Sequence, residues 1–231
     1  SIWGPLAQSF VYEASFKQQY QVVGLVESHV LQDKDPDLHA RADAQGFIAS
    51  SNPAMQYDNS SGNHGGEFIL AAKHTYSMPI DSDIIENAKH VNDEPARFAS
   101  LEVRFGQMSI IVVVAYFWCS EGLSPRNWAI LQQVSALVKQ FKVPFIFYAD
   151  FNMAPAHIEA SGWPAEHAAR LLVPDVTSTC AGSEQILDFC VVSCCIFDFL
   201  AIGPIAVSWL PHIGLQVQLT MEPTSTMVRS I

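Results

Sequence analysis

Short apolar runs alternate with polar or glycine-rich stretches along the chain, a pattern typical of a layered α/β protein. The run at residues 143–152 is almost wholly apolar until it ends in Asp150 and Asn152, which predicts a fully buried central strand. Residues 97–105 alternate as an edge strand would, and Gly106 and Gln107 form a tight hairpin to the next strand. The other predicted strands are residues 21–27, 46–49, 67–72, 108–116, 185–193, 205–210 and 214–219.

Helices are predicted where apolar residues recur at helical spacing. Ser124 followed by Pro125 forms a cap and first turn, and the apolar stripe from Trp128 to Phe141 predicts a helix that ends at Lys142. Pro5 opens another helix near the start of the sequence. Residues 165–172 predict a short helix, residues 33–44 a loop or short exposed helix, residues 52–66 an exposed mobile loop, and residues 81–93 an irregular acidic segment.

Composition narrows the choice of partners. A chain of 231 residues accommodates one large domain, and its net charge of −11 with a pI near 5.0 disfavours binding to long nucleic acids, which relies on Lys and Arg contacts with phosphate. Charged residues make up only 15% of the chain and hydrophobic residues 49%, which favours protein partners in a larger assembly.

Targeting and redox signals are sparse. No apolar run reaches the length of a membrane span and no signal peptide follows Ser1, which leaves peripheral membrane association open. Five cysteines lack zinc-site spacing, although Cys190, Cys194 and Cys195 cluster on one apolar stretch. Buried thiols in a reducing, intracellular compartment explain them better, which leaves an organelle open.

Polar side chains at strand ends are the candidate site. Glu27 and Asp150 each follow a buried strand, and oxygen ligands of this kind suit a hard cation that holds a phosphate, although a polar cap on a strand is the alternative. Tyr116 closes another strand. Asp188 lies within an apolar strand, where a carboxylate is costly unless it is paired. His212 lies on a turn from which an imidazole can reach a cleft or remain solvated.

The order of these residues along the chain resembles that of the endonuclease/exonuclease/phosphatase family. The strongest likeness is the sequence from Ala149 to Pro155, which is similar to the family's Gly-Asp-Phe-Asn-x-x-Pro signature, and the residues around Trp163 and His212 resemble divergent copies found in algal genomes. The resemblance covers most of the chain. It implies an α/β fold of the DNase I type, a four-layer sandwich in which two facing mixed sheets are flanked by helices.

The resemblance also implies roles for the candidate residues. Glu27 would bind a divalent ion, most simply Mg²⁺, while Asp150 and Asn152 would orient the attacking water and the phosphate. Asp188 would support the metal or His212, and His212 would act as a base or stabilise the phosphate. Tyr116 is a further candidate for contact with the ligand.

Two departures from the family pattern put catalysis in question. Pro211 replaces the acid that usually precedes the terminal histidine, and the family's first-strand asparagine has no counterpart, so the sequence predicts one domain over residues 1–222 without its first strand and a loosely ordered tail over residues 223–231. We therefore favour a non-catalytic structural or binding subunit, a pseudoenzyme, in a larger assembly, for which an organellar or photosynthetic complex is a candidate. The alternative is a Mg²⁺-dependent phosphodiesterase, phosphatase or endonuclease-like hydrolase.

Overall fold

A six-stranded mixed sheet forms the centre of the protein. The structure is a computed structural model and describes residues 4–13, 19–56, 62–207 and 211–220. The strand order is β10-β11-β9-β8-β7-β6, in which only the β8–β9 pair is parallel. The strands are β6 (Tyr76–Pro79), β7 (Phe98–Phe105), β8 (Met108–Tyr116), β9 (Phe145–Asp150), β10 (Ala169–Leu172) and β11 (Asp188–Ser193).

A smaller antiparallel sheet and two hairpins complete the strands that the structure describes. The small sheet has the order β1-β5-β2, with β1 (Val22–Leu25), β2 (Phe47–Asn52) and β5 (Glu67–Ala72). The hairpins pair β3 (Met55–Gln56) with β4 (Asn63–His64) and β12 (Leu200–Ile205) with β13 (Gly214–Leu219).

Helices cover the outer face of each sheet. They are α1 (Pro5–Val11), α2 (Asp35–Ala44), α3 (Ser82–Lys89), α4 (Pro125–Phe141), α5 (Pro155–Ala160), α6 (Trp163–Glu166) and α7 (Cys194–Phe197). Ser124 caps α4, since its Oγ accepts a hydrogen bond from the backbone N–H of Asn127 at 3.3 Å. The helix returns the chain from β8 to β9, and this crossover allows the two strands to lie parallel.

Three of the four apolar clusters in the described residues define four layers, as the family resemblance implies. Residues of α1 and α2 pack on the outer face of the small sheet, and residues of α3, α4, α5 and α6 pack on the outer face of the large sheet. Between the sheets, Ile69 and Ala71 of β5 contact Leu101 and Val103 of β7 and Val114 of β8. The order is therefore helix, sheet, sheet, helix.

Several predicted elements differ from the structure. Residues 81–93 contain helix α3, and residues 165–172 hold α6 and strand β10 instead of one helix. Strand β7 is internal, because β6 pairs beyond it. The hairpin partner of β13 is β12, which lies earlier than the predicted 205–210 strand; residues 208–210 and the predicted tail from 223 lie outside the described residues.

Two other expectations concern cysteines and membranes. Of the clustered cysteines only Cys190 is buried, because Cys194 and Cys195 lie on the short helix α7 at the surface, where their side chains are exposed. All five cysteines are free thiols. None of the described helices is both long and apolar enough to cross a membrane.

Candidate active site

Two aspartates face each other at one end of the large sheet. Asp150 is the last residue of β9 and Asp188 the first of β11, and the antiparallel register places them directly opposite one another. Each is only 2% exposed. Tyr116, the last residue of β8, is the register partner of Asp150 on the other side. Like charges in such a cross-strand pair repel, so the carboxylates require a cation or a proton between them.

His212 brings an imidazole to this pair of carboxylates. Its Nδ1 lies 3.0 Å from Oδ2 of Asp188, and its Nε2 lies 3.8 Å from Oδ2 of Asp150. The first distance is a hydrogen bond and the second a longer electrostatic contact. Asp188 is therefore paired, as its position in an apolar strand requires, and it takes the orienting role that Pro211 cannot perform.

The segment around Thr179 holds His212 in place. Ile213 donates its N–H to the carbonyl of Thr179 at 3.0 Å, and Ala181 donates to the carbonyl of Pro211 at 2.7 Å. The Thr179 hydroxyl accepts hydrogen bonds from the backbone N–H groups of Leu187 and Asp188, at 2.9 and 3.0 Å. The loop that carries the histidine and the start of β11 are thus fixed to the same residue.

Burial and charge shift the proton affinities of this cluster. Desolvation, followed by the neighbouring Asp188 carboxylate, raises the pKa of Asp150 to about 7. The hydrogen bond to Asp188 raises the pKa of His212 above its usual value, against an opposing effect of burial. Near neutral pH the site can therefore hold or release a proton between Asp150 and His212, which is what acid–base chemistry requires.

Glu27 reaches the same end of the molecule from the small sheet. It lines the cavity that also contains Asp150, Asp188 and His212, and it is one of the groups that raise the pKa of Tyr116. Glu27 has a φ of 52° and His29 a φ of 57°, a left-handed conformation that is costly for residues with a side chain. Such strain is common where a side chain is held in a functional position.

The strained segment depends on Gly66. This glycine has a φ of 91°, and a Cβ at this position would lie 2.5 Å from Oγ of Ser28 and 3.1 Å from the backbone nitrogen of His29. Ser28 N–H also donates to the Gly66 carbonyl at 2.8 Å. Only glycine allows the two segments to approach so closely.

The Gly66→Ala variant is therefore expected to lose about 2–3 kcal/mol of unfolding free energy, because the added methyl group is both strained and sterically blocked. Urea denaturation measures the loss. Gly203→Ala in β12 is the matched control, since its Cβ meets no atom within 4 Å; it should stay within about 0.5 kcal/mol of the parent. Equal stability of the two variants would contradict this account of Gly66.

Asn152 is anchored by its backbone and side chain. Its N–H donates to Oδ1 of Asp150 at 3.0 Å, and its Nδ2 donates to the carbonyl of Phe117 at 2.8 Å. Cys119, which the sequence did not single out, donates its thiol to Oδ1 of Asn152 at 3.2 Å and lies 3.1 Å from the Tyr116 hydroxyl. Burial raises the pKa of Tyr116, with the hydrogen bond to Cys119 as the second cause. Tyr116 therefore acts as a neutral hydroxyl at neutral pH.

A buried ion pair that the sequence analysis does not predict lies beneath the candidate site. Arg97 is 2% exposed, its Nε lies 4.0 Å from Oε1 of Glu67, and its guanidinium stacks on the rings of Tyr116 and Trp118 at 4.5 and 4.0 Å. Asn52 donates to Oε2 of Glu67 at 2.9 Å. The sequence contains an indication of this pair, because Glu67 begins an apolar strand just as Asp188 does. Arg97 therefore supports the ring of Tyr116 from below.

Glu67 makes stability depend on pH. Burial raises its pKa to about 7, although Arg97 acts in the opposite direction. The unfolded chain releases this proton near pH 4.5, so the folded state holds the extra proton and the unfolding free energy falls as the pH rises from about 4.5 to about 7. In Glu67→Gln, the difference in unfolding free energy between pH 5 and pH 8 should be smaller than in the parent by on the order of 3 kcal/mol, as measured by urea unfolding. Exposed Glu159→Gln is the control; an unchanged slope in Glu67→Gln would refute the assignment.

The donor set fits a hard divalent cation. Asp150, Asp188 and His212 each offer a ligand atom, and these atoms lie within 4.8 Å of one another. Glu27 faces the same space. The three carboxylates favour Mg²⁺ or Mn²⁺ over a thiophilic metal, and His212 is paired with Asp188 beside them. Six residues predicted from the sequence thus lie at one end of the two sheets: Glu27, Tyr116, Asp150, Asn152, Asp188 and His212.

The fold is that of the endonuclease/exonuclease/phosphatase, or DNase I-like, proteins. An endonuclease domain of TRAS1, a telomere-specific non-LTR retrotransposon, superposes with a TM-score of 0.63 at 12% identity, over 96% of this chain and 95% of that chain. The AP endonuclease of Leishmania major gives 0.69 at 14% identity, over 94% and 84%. A mannosyl-6-phosphatase of Bacteroides thetaiotaomicron gives 0.59 at 10% identity, over 95% and 92%.

The comparisons identify the fold and go no further. No protein-family model matches the sequence, and no curated protein matches it. By their names, two of these neighbours are endonucleases and the third is a mannosyl-6-phosphatase. They do not bear on the likeness to algal copies, which stays a prediction.

Proposed function

We propose that the protein is a divalent-metal-dependent phosphoester hydrolase. The observation that carries this proposal is the pair formed by Asp188 and His212 at 3.0 Å, beside the buried Asp150. A carboxylate that orients a histidine next to a second, proton-accepting carboxylate supplies the acid and base groups that water-mediated hydrolysis can use. The family neighbours named above supply the reaction class.

Each side chain has a role in this proposal. Glu27 and Asp188 would hold Mg²⁺, which when bound polarises a phosphoryl oxygen. Asp150, whose pKa is raised to about 7, accepts a proton from the attacking water. His212, whose pKa is raised by its hydrogen bond to Asp188, would when protonated direct its Nε2–H toward the negative charge that develops on the phosphate. Asn152 fixes the geometry of Asp150 through its N–H, and Tyr116 lies beside Asp150 on the neighbouring strand.

The substrate class follows from charge. With a net charge of −11 the protein repels a long polyanion, so we propose a small or non-polymeric phosphate ester. The test is hydrolysis of bis(p-nitrophenyl) phosphate and p-nitrophenyl phosphate with Mg²⁺, with and without EDTA. The parent should turn over one of them in a metal-dependent manner, and Asp150→Asn should lose the activity. A folded parent as slow as Asp150→Asn on both esters would overturn the proposal.

The second candidate is the non-catalytic subunit favoured by the sequence. The pairing of Asp188 with His212 weakens one of its reasons, since Pro211 is no longer the residue on which the imidazole depends. The low share of charged residues, 15%, still supports it. The five free thiols fit a protein that works in a reducing intracellular compartment. A protein recovered only within a stable complex, and inactive with either ester, would favour this role.

A further inference from the structure

Arg97 lies at the end of the two sheets that carries the candidate active site. It immediately precedes β7, its carbonyl accepts a hydrogen bond from Tyr116 N–H at 3.2 Å, and its side chain is 2% exposed. Its guanidinium lies 4.5 Å from the centre of the Tyr116 ring and 4.0 Å from that of the Trp118 ring. Arg97 therefore contacts the end of β8 through both its backbone and its side chain.

A second guanidinium contacts Trp118. It belongs to Arg126 of α4, whose Cζ lies 3.6 Å from the ring centre. Two guanidinium groups at these distances cannot share one face, so the indole is held between them. Asn127 fixes the backbone of Trp118, accepting from its N–H at 2.7 Å and donating to its carbonyl at 3.0 Å. Because the next residue is Cys119, whose thiol donates to Asn152 at 3.2 Å, the position of Trp118 determines where the loop after β8 meets Asn152.

The Arg97 guanidinium also approaches the turn before β5. A Cβ on Gly65, which has a φ of 75°, would lie 2.9 Å from Nη2 and 3.2 Å from Nε of Arg97. The carbonyl of Gly65 accepts from His29 N–H at 3.0 Å, two residues after Glu27. Arg97 Nε lies 4.0 Å from Oε1 of Glu67, the first residue of β5. One side chain therefore contacts both the loop after β8 and the turn that supports the Glu27 segment.

The hydrogen-bonding capacity of this ion pair is incompletely used. Within the described part of the chain, Nε and Nη1 of Arg97 and Oε1 of Glu67 are buried without a hydrogen-bond partner. A buried charge pair of this kind adds little to stability, and well-packed neutral side chains of similar size often replace one at no cost. Stability alone therefore does not account for Arg97, whereas its place between two parts of the candidate active site does.

We propose that Arg97 is a positioning residue for the proposed hydrolysis, and the inference rests on that function. It sets the distance between the Glu27 segment on the small sheet and Tyr116, with the loop that follows it, on the large sheet. A planar guanidinium can stack on two aromatic rings while it lies against a glycine, which the ammonium group of a lysine cannot do. Without Arg97 the two parts of the site would move relative to each other, and a misplacement of about 1 Å can lower turnover by about a hundredfold.

The test replaces the ion pair in the whole chain by neutral side chains of similar size, as Arg97→Met with Glu67→Gln. The urea midpoint should stay within about 0.5 M of the parent value. Amide hydrogen exchange should become at least about tenfold faster at His29 and Trp118, whose N–H groups are bonded within the two positioned segments. Exchange at Cys194, beyond the other end of β11, should not change, whereas a general loss of stability would accelerate it as well.

Two further variants make the exchange result specific. The matched control is Arg104→Met with Glu102→Gln, a partly exposed ion pair on β7 in which Nε lies 3.3 Å from Oε1; exchange at His29 and Trp118 should stay within about twofold of the parent. Arg97→Lys keeps the charge beside Glu67 but not the stacking, so it should also accelerate exchange, and it decides the question if the double variant does not fold. Parent-like exchange in Arg97→Lys, or acceleration that is equal at Cys194, would overturn the proposal.

Hydrolysis provides the second readout. For whichever ester the parent hydrolyses, kcat of the Arg97→Met, Glu67→Gln variant should fall at least about tenfold while KM changes less than about threefold. An unchanged kcat beside an active parent would refute the positioning role. Exchange requires neither substrate nor metal, so an inactive parent would refute the proposed hydrolase function, while the exchange rates would still show whether Arg97 holds the two segments.

Discussion

Asp188→Asn is expected to lower kcat for a phosphodiester by about a thousandfold. The substituted asparagine would keep the size of the side chain but lose the charge that pairs with Nδ1 of His212 at 3.0 Å. The imidazole would then lose both its preferred orientation and the stabilisation of its protonated form. Because this interaction acts during chemistry and not in uniform binding, KM should change much less than kcat.

The control for this variant is Asp198→Asn. Asp198 is an exposed acid whose side chain is 86% accessible and pairs with Arg170 at 3.7 Å, so its loss should leave the rate within about twofold. A second readout needs no substrate: in Asp188→Asn the pKa of His212, followed by NMR, should fall, since the hydrogen bond to Asp188 is the main cause that raises it. A wild-type rate together with an unshifted His212 titration would refute the role of Asp188.

Trp163→Ala is expected to cost about 3–5 kcal/mol of unfolding free energy, the largest loss of stability we anticipate. Trp163 is 2% exposed on the short helix α6, and its ring lies 5.6 Å from that of Phe147 and 6.1 Å from that of Phe145. Its Nε1–H donates to Ser135 Oγ at 2.8 Å on α4. The indole thus joins the central strand β9 to the helix that precedes it.

Urea denaturation of Trp163→Phe provides the matched comparison. Phenylalanine keeps most of the apolar contact with β9 and loses the donor to Ser135, so we expect it to recover more than half of the loss. If both variants were equally unstable, the hydrogen bond would matter more than the packing. If neither differed from the parent, the assignment of Trp163 to the core would be wrong.

The buried strands could be predicted because both of their faces are covered. β8 and β9 are continuous apolar runs, and a polar residue ends each of them, which is why Tyr116 and Asp150 were found. The sequence predicts a helix over residues 165–172 because they are largely helix formers, and only pairing with β11 makes residues 169–172 extended. Helix α3 was missed although Asp81 caps it, accepting from Asp83 N–H at 2.9 Å.

The site could be predicted in its parts but not in its contacts. An isolated acid in an apolar strand singled out Asp188, yet its partner lies 24 residues away and depends on how a loop closes. The sequence therefore left open whether Asp188 served the metal or the histidine. The roles of Thr179 and Cys119 depend on the same long-range closure, and neither residue type is distinctive alone.

Strand β6 forms one border of the large sheet and carries Tyr76 and Met78, which are 81% and 44% exposed. An exposed sheet edge of this kind can pair with the edge of another copy of the protein, and repeated pairing leads to fibres. Here it is only four residues long and closes with Pro79, which has no N–H to offer an incoming backbone. The protein should therefore resist aggregation through β6 at high concentration. Pro79→Val, which restores a backbone N–H at this edge, is the substitution expected to weaken that resistance most.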